Sequence, residues 1–273
     1  MVKKLLKHEA IYYARTLIIF EIVLFALALS TRIIMFFEYD HWIYYLVQGS
    51  SFVAFGLAAL ACIYLTLAMC IIRFYKNLFS QEGYLSFALP VSTHQHLFVK
   101  LFSALVYSAI TWVSVVVAFL ITISGHILNE VIKAAGYIID KIGELISFTD
   151  GVHIAAYAVY CLILLILSGI FTFLVYYSCI TIGQTAKKNR ILAAVGCFFA
   201  YSFINQVLGT IFSIAVNIFV TVADMSKIVM FIENHTYLCL HIGFVALIVW
   251  TLLLDILFYF INYNIISKKL NLE

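Results

Sequence analysis

Proline occurs once in this sequence, at Pro90, and Asp, Glu, Lys and Arg together make up only 11% of the 273 residues, against roughly 25% in a soluble domain. So little charge excludes a soluble globular fold, whose surface would need many more polar side chains. The sequence also lacks a G-x-x-x-x-G-K-[ST] phosphate loop, an H-E-x-x-H pair and a G-x-S-x-G elbow, which argues against an ATPase, a zinc hydrolase or a serine hydrolase. No CxxC pair is present; the six cysteines, at 62, 70, 161, 179, 197 and 239, all fall in apolar runs and read as small buried residues. No period of 20–50 residues repeats, and the halves show no inverted symmetry of the kind built into secondary carriers.

What the chain does have is apolar length, with 65% of its residues hydrophobic. Runs at about 16–37, 49–72, 99–125, 154–182, 191–222 and 237–264 each exceed the ~20 residues that cross a ~30 Å hydrocarbon core. The expected fold is all-α and polytopic, with six transmembrane helices in a single membrane domain over 1–273. Lys3, Lys4 and Lys7 precede the first run, and Ala26-Leu27-Ala28 has a cleavage-site form. Glu21 falls within that run, however, and the run continues past the site, so a retained first span is expected. Of the sixteen basic residues, only Arg32, Lys133, Lys141 and Lys227 fall on the side away from the termini. The positive-inside rule places both termini in the cytoplasm, and the net charge of +3 expresses this sidedness, not a nucleic-acid surface.

Residues 1–15, MVKKLLKHEAIYYAR, suit either a short interfacial helix or a plain basic flank. Residues 127–148 split into polar and apolar faces at helical spacing, which predicts an amphipathic outer helix. It would cap an exit path or simply cover neighbouring helix ends. Within the spans, Glu21 and Asp255 are intramembrane acids, suited to local pairing or to a proton relay. Asn205, Gln206, Ser213 and Asn217 lie roughly on one face of the fifth run, either lining a pathway or bonding helix to helix. His94 and His96 lack a third ligand nearby, so no metal site is expected.

The stretch RFYKNLFSQEGYLSFALPVSTHQHLFVK (73–100) interrupts the apolar pattern. Ser80 suits the cap of a short helix beginning at Gln81, Pro90 ends it, and Ser92-x-x-Gln95 has the capping-box form that opens the third span. This helix–break–helix elbow, 73–98, either docks a cytosolic partner or dips into headgroups. Its YKNLFSQEGYLSFALPVS core resembles the loop between spans two and three of bacterial ABC-2-type transporter permeases, and the ending NIISKKLNLE resembles their C-terminal tail.

The resemblance implies that the elbow is a coupling helix, with Phe79, Glu82, Gly83, Tyr84 and Leu85 contacting a separate ATPase subunit. That partner, in two copies, would bind ATP and Mg; the chain itself would hold no cofactor and no catalytic residue. A second permease copy or a paralogue would complete the pathway in a bacterial plasma membrane. The cargo expected of such a permease is an amphipathic, antimicrobial or toxin peptide, with multidrug or lantibiotic efflux as the alternative. An ATP-independent channel or proton-coupled carrier using Glu21 and Asp255 is the rival from another class.

Overall fold

A computed structural model describes residues 2–37, 41–88, 91–123, 133, 136–137, 151–186, 188–222, 230–231 and 235–268. Most of the expected outer helix at 127–148 lies outside these, as do Pro90 and residues 269–273 of the tail. Among the described residues there are seven helices: α1 (Val2–Phe36), α2 (Trp42–Phe79), α3 (Gln81–Ala88), α4 (Thr93–Thr122), α5 (Gly151–Gly183), α6 (Arg190–Val222) and α7 (Thr236–Lys268). Among the described residues there is no strand. All but α3 are long and apolar enough to cross a membrane. At 30–38 residues each they measure about 45–57 Å, so they tilt or extend beyond the hydrocarbon. Residues 2–15 are helical and run without a break into the first span.

The chain divides into two compact units, Met1–Phe148 and Thr149–Glu273. In the first, α1 packs against both α2 and α4, α2 also meets α4, and α3 folds back on α2. The buried residues of α1 are Glu9, Tyr13, Leu17, Leu24, Ala28, Thr31 and Met35, a single stripe spaced by threes, fours and a seven. Leu24, Ala28, Phe55, Cys62 and Ala118 form its central cluster. The small side chains among them let the helices approach closely, which matters because lipid is as apolar as leucine and gives little drive to helix association. Hydrogen bonds supplement the packing. Thr66 and Thr111 share one at 3.1 Å between α2 and α4, and Thr31 donates to the Ser51 carbonyl at 3.3 Å. At the end away from the N-terminus, the Arg32 guanidinium donates to the carbonyl of Ile123, the C-cap of α4, where a cation also suits the helix dipole.

In the second unit, α5 packs against α6 and α7. A buried amide ties α5 to α7. Asn262 Oδ1 accepts from Thr181 at 3.0 Å, while Nδ2 donates to Ser178 Oγ at 2.8 Å, to the Leu174 carbonyl at 3.2 Å and to the Phe258 carbonyl at 3.0 Å. Near the opposite ends of these helices, His153 Nδ1 lies 2.9 Å from His241 Nε2, and the His153 ring stacks on Tyr237 at 4.7 Å. The connection between α5 and α6 is short, with Asn189 in the left-handed region at φ 52°.

The α5–α6 contact depends on Gly183, where a Cβ would come within 2.6 Å of the Ala194 backbone. Since a backbone cannot step aside as a side chain can, Gly183→Val is expected to destabilise the protein by about 1–3 kcal/mol. Thermal unfolding in detergent should show a midpoint several degrees lower; a variant as stable as the parent would mean that this close approach is not made.

Candidate functional site: a charged elbow in the first unit

The elbow is built by local chemistry. Ser92 caps α4, its hydroxyl accepting from the Gln95 N–H at 3.4 Å while Gln95 Oε1 accepts from the Ser92 N–H at 3.3 Å, the capping box expected from the sequence. Ser80 behaves differently from expectation. Its hydroxyl donates back to the Lys76 carbonyl and closes the last turn of α2; it is the Ser80 carbonyl that accepts from Gly83 N–H, at 2.7 Å. The side chain can satisfy an orphan carbonyl of α2 or an orphan N–H of α3, and here it serves α2.

Four charged side chains from four helices then form one chain of contacts. Lys100 Nζ lies 2.6 Å from Glu9 Oε1. Arg73 reaches the same carboxylate with Nη2 at 3.4 Å from Oε1 and Nε at 3.4 Å from Oε2. With Nη1 it reaches Glu82 Oε2, also at 3.4 Å. The Arg73 guanidinium carbon sits 4.0 Å from the centre of the Tyr12 ring, a cation–π contact that fixes its plane. Nearby, Tyr107 donates to the Ala10 carbonyl at 2.8 Å, and its ring stacks on Tyr13 at 5.0 Å.

Burial grades along this series. Side-chain exposure is 1% at Lys100, 3% at Glu9, 14% at Arg73 and 53% at Glu82. Two positive and two negative charges balance, and each buried charge has an opposite partner, as a charge removed from water requires. The arrangement holds no activated nucleophile and no acid–base pair aimed at a cavity. Glu82 is the solvent-facing end of a chain of charges rooted between α1 and α4.

The residues expected to contact a partner take different positions. Glu82 and Tyr84 are exposed, while Gly83 is buried. The Leu85 side chain lies outside the described residues. Phe79 is buried, its ring edge-on to Phe74 at 5.8 Å, at the corner between α2 and α3. His94 is exposed and His96 buried, and no group of three or more metal-ligating side chains gathers among the described residues. Asn205, Gln206, Ser213 and Asn217 are all exposed on α6, with Asn205 turned about 100° from Gln206. Glu21 is half-buried. Asp255 is buried, 7% exposed, with neither carboxylate oxygen hydrogen-bonded, and among the described residues neither acid has an ion-pair partner.

Glu9 and Lys100 were not anticipated as a pair. The signals were an acid within a basic flank, on the helical face of Tyr13 and Leu17, and a lysine on the apolar face of α4 beside Val99 and Ser103. No family model, curated protein or solved structure matches the chain. Six apolar helices of spanning length make it a membrane protein and fit a transporter or permease in general.

Removing one member of a buried ion pair strands the other. Glu9→Gln is therefore expected to cost about 3–5 kcal/mol, whereas replacing both members by apolar residues, Glu9→Leu with Lys100→Leu, should restore most of that stability. Unfolding midpoints of parent, single and double variants in one detergent decide it. A double variant less stable than the single would refute the pairing.

Proposed function

We propose that the chain is the permease subunit of an ATP-driven exporter of the ABC-2 type, with α3 as the helix that couples it to a separate ATPase. The observation that carries this reading is a short helix folded back on α2, between two spans, with Glu82 and Tyr84 exposed and Arg73 tethering it to the bundle. The resemblance of residues 75–92 to the coupling loop of such permeases supports the same assignment. In this reading the termini and α3 are cytoplasmic, and two ATPase copies binding ATP and Mg act on two permease chains in a bacterial plasma membrane. Amphipathic or antimicrobial peptides are the cargo class, with multidrug or lantibiotic efflux as the neighbouring alternative.

The mechanical consequence follows from the charge chain. A partner that grips Glu82 and Tyr84 pulls on Arg73, and through Glu9 and Lys100 on α1 and α4 together, so α3 moves with the bundle and not independently of it. A proton-coupled carrier is the second reading, favoured by the buried, unbonded carboxylate of Asp255. It locates the working group in α7 instead of α3.

Affinity purification of the tagged chain from its native host, with mass spectrometry of co-purifying proteins, tests the assignment. The expected result is a stoichiometric partner carrying a phosphate-binding loop, lost when Glu82 is replaced by lysine. Asp255→Asn should leave that association and transport unchanged. Transport abolished by Asp255→Asn but untouched by Glu82→Lys would transfer the assignment to the carrier.

A further inference from the structure

The α5–α7 pair is fastened at both ends, by groups of different kinds. At one end Asn262 bonds to Thr181, to Ser178 and to the Leu174 carbonyl, groups that neither gain nor lose a proton in ordinary buffers. About 32 Å back along α7 the fastening is a pair of imidazoles. His153, the third residue of α5, has Nδ1 2.9 Å from Nε2 of His241.

The surroundings of this pair are aromatic. Tyr237, one turn before His241, stacks on His153 at 4.7 Å with an interplanar angle of 1°. Tyr157 and Tyr160 close on His241 at 4.9 Å and 5.6 Å. His235 stacks instead on Phe231. No formal charge stands close by on the helices of this unit. α5 contains no Asp, Glu, Lys or Arg. α7 contains only Asp255, about 21 Å beyond His241, and Lys268 at its far end. α6 contains only Arg190, one turn from the Ala194 that meets Gly183 at the other end of α5.

Proton counting decides what the contact tolerates. With both rings neutral, an N–H of one donates to the lone pair of the other. A first added proton goes to a nitrogen outside the contact. The bond survives, now charge-assisted, and the tyrosine faces receive the cation. A second added proton must occupy the accepting nitrogen itself. Two N–H groups and two positive charges would then meet at 2.9 Å with no carboxylate to offset them, and the bond is lost.

We infer that His153 and His241 form an acid-released clamp, which parts these ends of α5 and α7 when both rings are protonated while the Asn262 network holds the other ends together. The closed clamp carries at most one added proton and the parted rings carry two, so acid favours parting and neutral or alkaline conditions favour closure. The clamp lies wholly within α5 and α7 and needs no ATPase and no particular cargo. In the exporter reading it adds control from the non-cytoplasmic face, and it stands or falls apart from that reading.

The test is thermal unfolding of the full-length chain in one detergent at about pH 8 and about pH 5, either side of the range in which histidine ordinarily changes charge. The parent is compared with His153→Gln and His241→Gln, since glutamine keeps a donor and an acceptor but has no proton to gain. On acidification the parent midpoint is expected to fall by about 2–4 °C more than that of either variant. A second measurement does not depend on the glutamine variants folding. His153→Cys combined with His241→Cys, oxidised in membranes, should yield a peptide linked through positions 153 and 241. Its oxidised form should lose less of its midpoint to acid than the parent does. Equal acid dependence in the parent and both glutamine variants, or parent-like acid dependence in the cross-linked chain, would overturn the clamp. So would absence of the 153–241 link, or a parent midpoint at pH 8 raised by zinc or copper but unmoved by acid, which would make the pair a metal site.

Discussion

The Glu9 carboxylate, held between Lys100 at 2.6 Å and Arg73 at 3.4 Å, is the contact on which the first unit depends. Apolar burial alone says little about how three greasy helices should align when lipid competes equally for their surfaces. A buried charge with defined partners does say it, because every other register leaves an ion stranded. Glu9 fixes α1 against α2 and α4 at one end, and Arg32 on the Ile123 carbonyl fixes α1 against α4 at the other. Between them the stripe of Leu17, Leu24 and Ala28 packs, with registration already set by the ends.

The second unit meets the same requirement with neutral groups. Asn262 is fully buried, its Oδ1 accepting from Thr181 and its Nδ2 within hydrogen-bonding distance of three acceptors on α5 and α7. A neutral amide costs less to bury than an ion and gives less to a partner. The charged network extends to a solvent-facing carboxylate, and the amide network ties α5 to α7. Glu82 is connected through Arg73 to the α1–α2–α4 bundle.

The six spans were legible because hydropathy over some twenty residues is a strong signal, but their ends were not. Helical hydrogen bonding continues past the apolar run, so α1 begins at Val2 and α2 ends at Phe79, beyond runs that stop at 16 and 72. The Ser92–Gln95 capping box was legible because both partners lie within one turn. The Glu9–Lys100 pair was not, since its members are 91 residues apart, and Lys100 reads as one more lysine of the basic side while Glu9 is an isolated acid in a basic flank. The surroundings of Phe79 were not legible either: an aromatic beside an exposed loop looks open to solvent, and only the fold shows it turned against Phe74. The polar residues of α6 were visible as a group, but only the fold shows that every residue from Ser202 to Thr221 is exposed.

Two surfaces therefore remain open for different physical reasons. On α3 the exposed groups are charged or amphipathic and already held: Glu82 by Arg73, and Gly83 by its backbone bond to Ser80. That surface is ordered by contacts within the chain, and Arg73 offsets the charge of the acid it presents. On α6 the polar stripe lies on a helix long and apolar enough to cross a membrane, where an unsatisfied polar group is costly, and Thr210 and Asn217 donate back to carbonyls of their own helix. The acid on α3 is thus held by a cation of a neighbouring helix, and these polar groups of α6 by their own backbone.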